Sequence, residues 1–257
     1  MTMRFPEGRR LLVPYVTGGL TTDWTDYLLA YQDAGADAVE VGLPFSDPML
    51  DGTTIQQAAD RALTRGATTD AILADLTAVG DRLSIPVVVM TYANLVLHTG
   101  VAKLQEAGVA GLIVPDLPLE ESGPLEQETA AAGIDLVLLA APSTPDDRLQ
   151  LICRRSRGFV YAVSVMGVTG ERATVAPETT VLAHRLKNAA KGRLPVLIGF
   201  GVSTPGQAAV AGRAGDGVVV ASALMRRVLD GATPADLSHD VAALRAALDD
   251  PIEHRAA

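Results

Sequence analysis

Cysteine, tryptophan and aromatic side chains in general are scarce, with one Cys, one Trp and 4% Phe, Trp and Tyr in 257 residues. The lone cysteine, Cys153, cannot close an internal disulfide and falls in a helical-looking stretch, Leu149–Arg155. The chain is therefore read as a protein of a reducing compartment, the cytoplasm. No run approaches 18 uninterrupted apolar residues, and the first ten residues, MTMRFPEGRR, hold no apolar core of signal-peptide length, so neither membrane insertion nor export is expected. Cations are short as well, 21 Lys and Arg against 30 Asp and Glu for a net charge of −9. They gather only in pairs such as Arg9-Arg10, Arg154-Arg155 and Arg226-Arg227. A nucleic-acid surface needs concentrated positive charge, so DNA and RNA are not expected as partners. The histidines, His98, His184, His239 and His254, lack H-x-x-x-H and H-E-x-x-H spacing; with a single cysteine, no metal site is expected.

Small and aliphatic residues are abundant: 24 Gly and 48% hydrophobic residues, enough chain to bury a core without disulfides or metal. Nearly continuous apolar runs recur at Leu11–Val16, Ala38–Gly42, Val87–Thr91, Gly111–Val114, Asp135–Leu139, Phe159–Ser164, Pro195–Gly199 and Gly217–Ala221. They lack the alternation of a half-exposed sheet, as parallel strands covered by helices do. Between them lie segments of helical spacing, Asp23–Ala34, Thr54–Ala62, Thr69–Leu83, Val101–Ala107, Leu119–Ala132, Pro145–Arg155, Pro177–Ala190 and Thr204–Ala214. Ser222–Leu229 and Pro234–Leu248 follow the last strand. Gly35, Gly108 and Gly133 stand at helix ends, and Ser-Thr-Pro at the starts Ser143–Pro145 and Ser203–Pro205. Eight βα units in a chain of this length predict an α/β fold, a (β/α)8 TIM barrel. No linker or charge shift marks a second domain, so residues 1–257 are read as one barrel domain with a polar tail, Asp249–Ala257, expected to fray.

In such a barrel the reactive groups sit at the C-terminal ends of strands and in the βα loops. Glu40 stands inside the second apolar run, between Val39 and Val41, where an ionised carboxylate is costly unless it is paired or its pKa rises. It is either an acid–base group or a structural Glu bonded to a neighbouring strand. Asp51, before Gly52, lies in a loop able to fold over the mouth, or is a turn residue; Asp47 could likewise simply cap the turn before Pro48. Gly199 and Gly201 end the seventh run, the eighth ends at Ala221, and Ser222 opens a helix. Loops after strands 7 and 8 with a helix N-terminus form the recurrent phosphate site of this fold, although the glycines also suit plain tight turns. The sixth loop, Met166–Thr174, has two glycines around Val168-Thr169 and reads as a flap or an ordinary connection. Tyr15, Tyr161 and Phe200, at ends of strands 1, 6 and 7, line a pocket for a flat aromatic substrate or pack in the core.

Several strings are more specific. Val13-Pro14-Tyr15-Val16-Thr17-Gly18-Gly19, the stretch Glu40–Gly52 with Thr54-Ile55-Gln56, Met90-Thr91-Tyr92-Ala93-Asn94, Gly111–Pro118, Gly167-Val168-Thr169-Gly170 and Gly199–Ser203 occur in this order. With them the chain resembles the tryptophan synthase α subunit family from Leu12 to about Leu229. The resemblance implies retro-aldol cleavage of indole-3-glycerol phosphate to indole and glyceraldehyde 3-phosphate. It matches Glu40 to the acid–base carboxylate, Asp51 to the carboxylate that meets the indole N–H, and Thr169 to the flap residue that bonds that aspartate on closure. Gly170, Gly199, Gly201 and Ser222, with Ala221 beside them, match the phosphate site, and Tyr15, Tyr161 and Phe200 the pocket lining. It also implies no cofactor in this chain, and a β-chain partner carrying pyridoxal phosphate in an αββα assembly, contacted near Asp47 and through the flap.

Three departures from the family pattern carry expectations. Ala221 replaces the usual Gly, at a cost of about 1 kcal/mol if that site needs positive φ. Thr53 replaces the usual Pro, which loosens the loop of Asp51. Only about ten residues precede the first strand, where the family places a helix, so the barrel base should be less well sealed. Two further readings stay open: a stand-alone indole-glycerol-phosphate lyase that releases free indole, and a weakly catalytic chain that binds and activates a β chain. The Glu40/Asp51 pair speaks against the second.

Overall fold

The computed structural model describes residues 3–163, 177–199 and 201–250. The chain runs β1 (Leu11–Thr17), α1 (Trp24–Asp33), β2 (Val39–Gly42), α2 (Thr53–Thr64), α3 (Thr69–Val79), β3 (Val87–Met90), α4 (Ala93–Thr99), α5 (Val101–Glu106) and β4 (Val109–Ile113). It continues through α6 (Gly123–Ala131), β5 (Asp135–Ala140), α7 (Asp146–Arg155), β6 (Val160–Ala162), α8 (Pro177–Ala190), β7 (Val196–Ile198), α9 (Pro205–Ala214) and β8 (Gly217–Val220). The helices α10 (Ser222–Leu229) and α11 (Pro234–Asp249) follow. Each strand pairs in parallel with the next, and β8 returns to β1 through Leu12↔Val218 and Val13↔Val219, closing the (β/α)8 barrel.

Side chains alternate along each strand between the barrel interior and the helix layer. Leu11, Val13, Ala38, Val88, Ile113, Val137, Phe159, Tyr161, Leu197 and Val219 form the inner cluster. The opposite parity, with Leu12, Val39, Val41, Val89, Leu112 and Val218, packs against the helices. Burial on both faces explains the unbroken apolar runs. Gly35, Gly108 and Gly133 take φ of 91°, 77° and 69°, the left-handed helix stop read from the sequence. Thr204 and Gln207 form a capping box at α9.

Four expectations need correction. The short α4 was not foreseen: it has no side-chain N-cap of its own, and Leu97 is 84% exposed, so it shows no apolar stripe. Asp116 from the loop after β4 accepts a hydrogen bond from Ala93 N at 2.8 Å and holds its first turn. The segment 69–83 breaks at Gly80 into α3 and a 3-10 turn, and α6 begins at Gly123 rather than Leu119. Asp249 ends α11 with its carboxylate held by Arg245 at 2.6 and 2.8 Å, and residues 251–257 of the expected frayed tail lie outside the described residues. Finally, the base is plugged without a helix: Met3 and Phe5 pack against the inner cluster, Phe5 edge-on to Phe159, and Met3 N donates to Asp135 Oδ2 at 2.7 Å.

Strand closure depends on a close approach at Gly217, where a Cβ would lie 2.3 Å from the Leu11 carbonyl oxygen. Gly217→Ala is expected to cost about 3 kcal/mol by overpacking backbone that cannot yield. Gly206→Ala, in α9 with open space around it, should change stability by less than about 1 kcal/mol. Denaturant midpoints of the two variants check the contrast.

Candidate active site

Parallel register sets the first part of the site. Tyr15 of β1 lies opposite Glu40 of β2, which lies opposite Val88 of β3. Alternation from Ala38 directs Glu40 into the barrel, where it is fully buried and neither carboxylate oxygen has a hydrogen-bond partner among the described residues. The Tyr15 ring lies against Gly42: a Cβ there would sit 1.8 Å from the phenol oxygen, so that glycine is required for the tyrosine to occupy the mouth. Thr17 Oγ1 donates to Tyr15 Oη at 3.3 Å.

The loop after β2 supplies Asp51. Tyr92, just past β3, donates from its hydroxyl to Asp51 Oδ2 at 2.9 Å, and the Tyr92 hydroxyl oxygen in turn accepts from Leu50 N at 3.1 Å. The Tyr92 ring is stacked on Phe45 with centroids 4.9 Å apart. Gln56 of α2 reaches back from Nε2 to the carbonyls of Asp51, at 2.9 Å, and Pro48, at 3.2 Å. Thr53 is the first residue of α2, and the loop before it is anchored by Tyr92 and Gln56. Asp47 lies exposed in the same loop, with Ser46 Oγ donating to its Oδ2 at 2.6 Å.

Across the mouth, β7 and β8 lead to the N-terminus of α10. The first helical bond there joins Met225 N to Ala221 O, so the amides of Ser222, Ala223 and Leu224 have no helical acceptors. Ala221 adopts φ −115°, outside the left-handed region, so the expected strain does not arise. The two glycines serve different ends. Gly199 makes room for Tyr161, whose ring a Cβ would meet at 2.0 Å, and Gly201 takes φ 79° in open space. Phe200, Thr169 and Gly170 lie outside the described residues.

Sequence comparison decides the family. The sequence profile of the tryptophan synthase alpha chain matches residues 3–252. The alpha chain of Prochlorococcus marinus strain MIT 9313 is 45% identical over 230 residues, covering 86% of this chain and 82% of its own. That of Geobacillus thermodenitrificans is 44% identical over 236 residues, covering 88% and 86%. The chain belongs to the tryptophan synthase alpha chain family. Among solved structures, a chain of the tryptophan synthase α2β2 complex of Pyrococcus furiosus superposes with TM-score 0.85 at 36% identity, covering 94% of this chain and 99% of that one. Tryptophan synthase of Mycobacterium tuberculosis gives TM-score 0.85 at 36% identity, covering 93% of each chain.

Electrostatics couple the buried acids and phenols at the barrel mouth. Burial, and then the Asp51 charge, push the Glu40 carboxyl up to about 8. Asp51 is also raised by burial, against which the Tyr92 hydrogen bond lowers it. Burial holds the phenols of Tyr15 and Tyr161 far above their ordinary range; the negative charges of Glu40 and Asp51 add to this. All four groups are thus desolvated and close enough to act on one another electrostatically. Among them are a carboxyl raised enough to keep its proton at neutral pH and a second carboxyl held by a phenol. Tyr92 and Gln56 stood in the sequence strings as unassigned letters. Their roles come from contacts across 41 and 5 residues of chain, of which only the second is local enough to be guessed.

Glu40 makes stability depend on pH. Its folded-state pKa lies above its ordinary 4.5, so the stability contributed by the neutral form is complete below about 4.5 and lost as pH rises through about 8. Glu40→Gln keeps the shape without the charge. Its melting temperature relative to the parent should climb from pH 5 to pH 9, by the equivalent of a few kcal/mol. A difference independent of pH would contradict the unpaired burial.

Proposed function

We propose that Glu40 and Asp51 carry out the family's lyase reaction in this chain, cleaving indole-3-glycerol phosphate to indole and glyceraldehyde 3-phosphate. The observation that carries the assignment is Glu40 itself, a fully buried carboxyl without a partner among the described residues, inside the barrel beside Tyr15. Neutral at physiological pH, it delivers its proton to indole C3. The carbon–carbon bond to the hydroxyl-bearing side-chain carbon then breaks, its electrons return to the ring, and the resulting Glu40 carboxylate takes the hydroxyl proton as the aldehyde forms. Atoms balance, and Glu40 ends protonated. Asp51 accepts the indole N–H and stabilises positive charge developing on the ring nitrogen. Tyr92 keeps that carboxylate in place. Tyr15, Tyr161 and Phe200 flank the indole, and Thr169 of the sixth loop meets Asp51 when substrate is bound.

The phosphate falls to the amides at the start of α10, with Ser222, Ala221, Gly199, Gly201 and Gly170. A helix N-terminus offers N–H donors and a favourable dipole without a basic side chain. The Ala221 methyl is compatible with this role because the backbone there has negative φ. The partner is a tryptophan synthase β chain in an αββα assembly, which bears the pyridoxal phosphate and receives the indole. Asp47 and the neighbouring Met49, 80% exposed, lie on the surface offered to it. The named α2β2 assembly of the Pyrococcus furiosus relative supports this reading. No helix among the described residues is long and apolar enough to cross a membrane, which is compatible with work in the cytoplasm.

Turnover of indole-3-glycerol phosphate by the purified chain, alone and with a β chain, tests the assignment. The β chain should stimulate it strongly, and Glu40→Gln should lower kcat at least ~1,000-fold with the fold intact. Substantial turnover by that variant refutes the role of Glu40. Tyr92→Phe removes the bond that lowers the Asp51 pKa. It is expected to lower kcat about 10-fold and to move the acidic limb of the pH–rate profile upward; an unmoved limb would detach Tyr92 from Asp51.

A further inference from the structure

Away from the mouth, α7 and α8 enclose a cleft of about 560 Å³ whose walls include Leu149, Gln150, Asn188 and Ala189. Four cations, Arg154, Arg185, Lys191 and Arg193, face it against one acid, Asp146. In a chain with net charge −9 this is a local reversal of sign. Arg185 is spent on Asp146, at 2.6 Å, and on the carbonyls of Pro142 and Thr144. The other three have no acidic partner among the described residues, where no hydrogen bond or ion pair engages the side chains of Arg154 or Lys191 either.

Basic residues at helix C-termini normally offset the helix dipoles, and Arg193 does so here. Its guanidinium spans the ends of both helices, with long bonds to the carbonyls of Ala190, at 3.4 Å, and Cys153, at 3.5 Å. With those carbonyls covered, Arg154 and Lys191 are not needed for that purpose. Lys191 is, in addition, the one non-glycine with positive φ among the described residues, at 52°. The turn after α8 would be easier with glycine there, as at the adjoining Gly192. A lysine kept in an unfavourable backbone conformation places its ammonium beside the cleft, an outlier of the kind that marks sites of function.

We propose that this cleft binds a small polyanion, a phosphate ester or a polycarboxylate. Arg154, Lys191 and Arg193 supply the charge, the Gln150 and Asn188 amides supply directional hydrogen bonds, and Leu149 and Ala189 form an apolar floor. The volume suits a metabolite-sized ligand. The cations come from α7, from the turn after α8 and from the lead into β7, so a compact ligand bridges segments that a surface charge run would not bring together.

Amide NMR of the whole chain, titrated separately with inorganic pyrophosphate and with citrate at low ionic strength, tests the site. Saturable shifts at Gln150, Arg154, Asn188 and Lys191 are expected, and the anion that binds more tightly identifies the ligand class. The R154E/K191E double variant should bind at least 10-fold more weakly while cleaving indole-3-glycerol phosphate within twofold of the parent. Lys191→Gly guards against misfolding: relief of the positive φ should raise the melting temperature while affinity falls. Non-saturating shifts, shifts confined to Ser222 and its neighbours at the mouth, or unchanged affinity in both variants would overturn the proposal.

Discussion

A carboxyl without a partner among the described residues, in a closed apolar barrel, is the constraint on which the rest of the mouth depends. Fully burying Glu40 is affordable only if it stays neutral, and desolvation enforces that by lifting its pKa to about 8. Ion pairs elsewhere show the alternative. Asp37, nearly as buried at the other end of the barrel, accepts from Leu12 N and Arg245 and lies 3.1 Å from Arg9. The base thus uses its buried acid as a staple between α11 and the first two strands, whereas at the mouth no described residue satisfies Glu40. An unsatisfied acid costs stability and retains a proton that can be transferred.

Around Glu40 the packing follows from the absence of side chains at two positions. Gly42 and Gly199 sit beneath the Tyr15 and Tyr161 rings at distances that no Cβ tolerates. The two phenols, too strongly buried to ionise, make the walls apolar and rigid. Asp51 is fixed from outside the barrel by Tyr92, itself stacked on Phe45, and by Gln56 through the backbone. Two carboxyls are thereby held in different environments: one inside and unpartnered, the other at the rim and hydrogen-bonded. In the proposed reaction, that asymmetry lets two carboxyls take separate tasks.

Much of this was legible in the chain. Eight two-sided apolar runs and glycines at helix ends are signals of local origin, and the barrel follows from their count. Glu40 stood out because a charge within such a run is anomalous wherever it points. Less legible was α4, whose first turn is held by Asp116 from a later loop, and the plugging of the base by Met3 and Phe5, which depends on the space beneath Phe159 rather than on any helical pattern. Whether Ala221 is strained depends on a backbone angle that no residue preference fixes, and the φ there is negative.

What the sequence determined by itself was the periodicity: which segments are strands, which are helices, and that Glu40 would be buried. These depend on neighbours a few residues apart. Only the tertiary structure decided that Glu40 has no partner among the described residues, that Tyr92 and Gln56 anchor the Asp51 loop, and that Arg154, Lys191 and Arg193 converge although they are scattered among the few cations of an acidic chain. Each of those is a contact between distant segments, fixed by strand register and by how the helices lie over the barrel, and no local pattern encodes it.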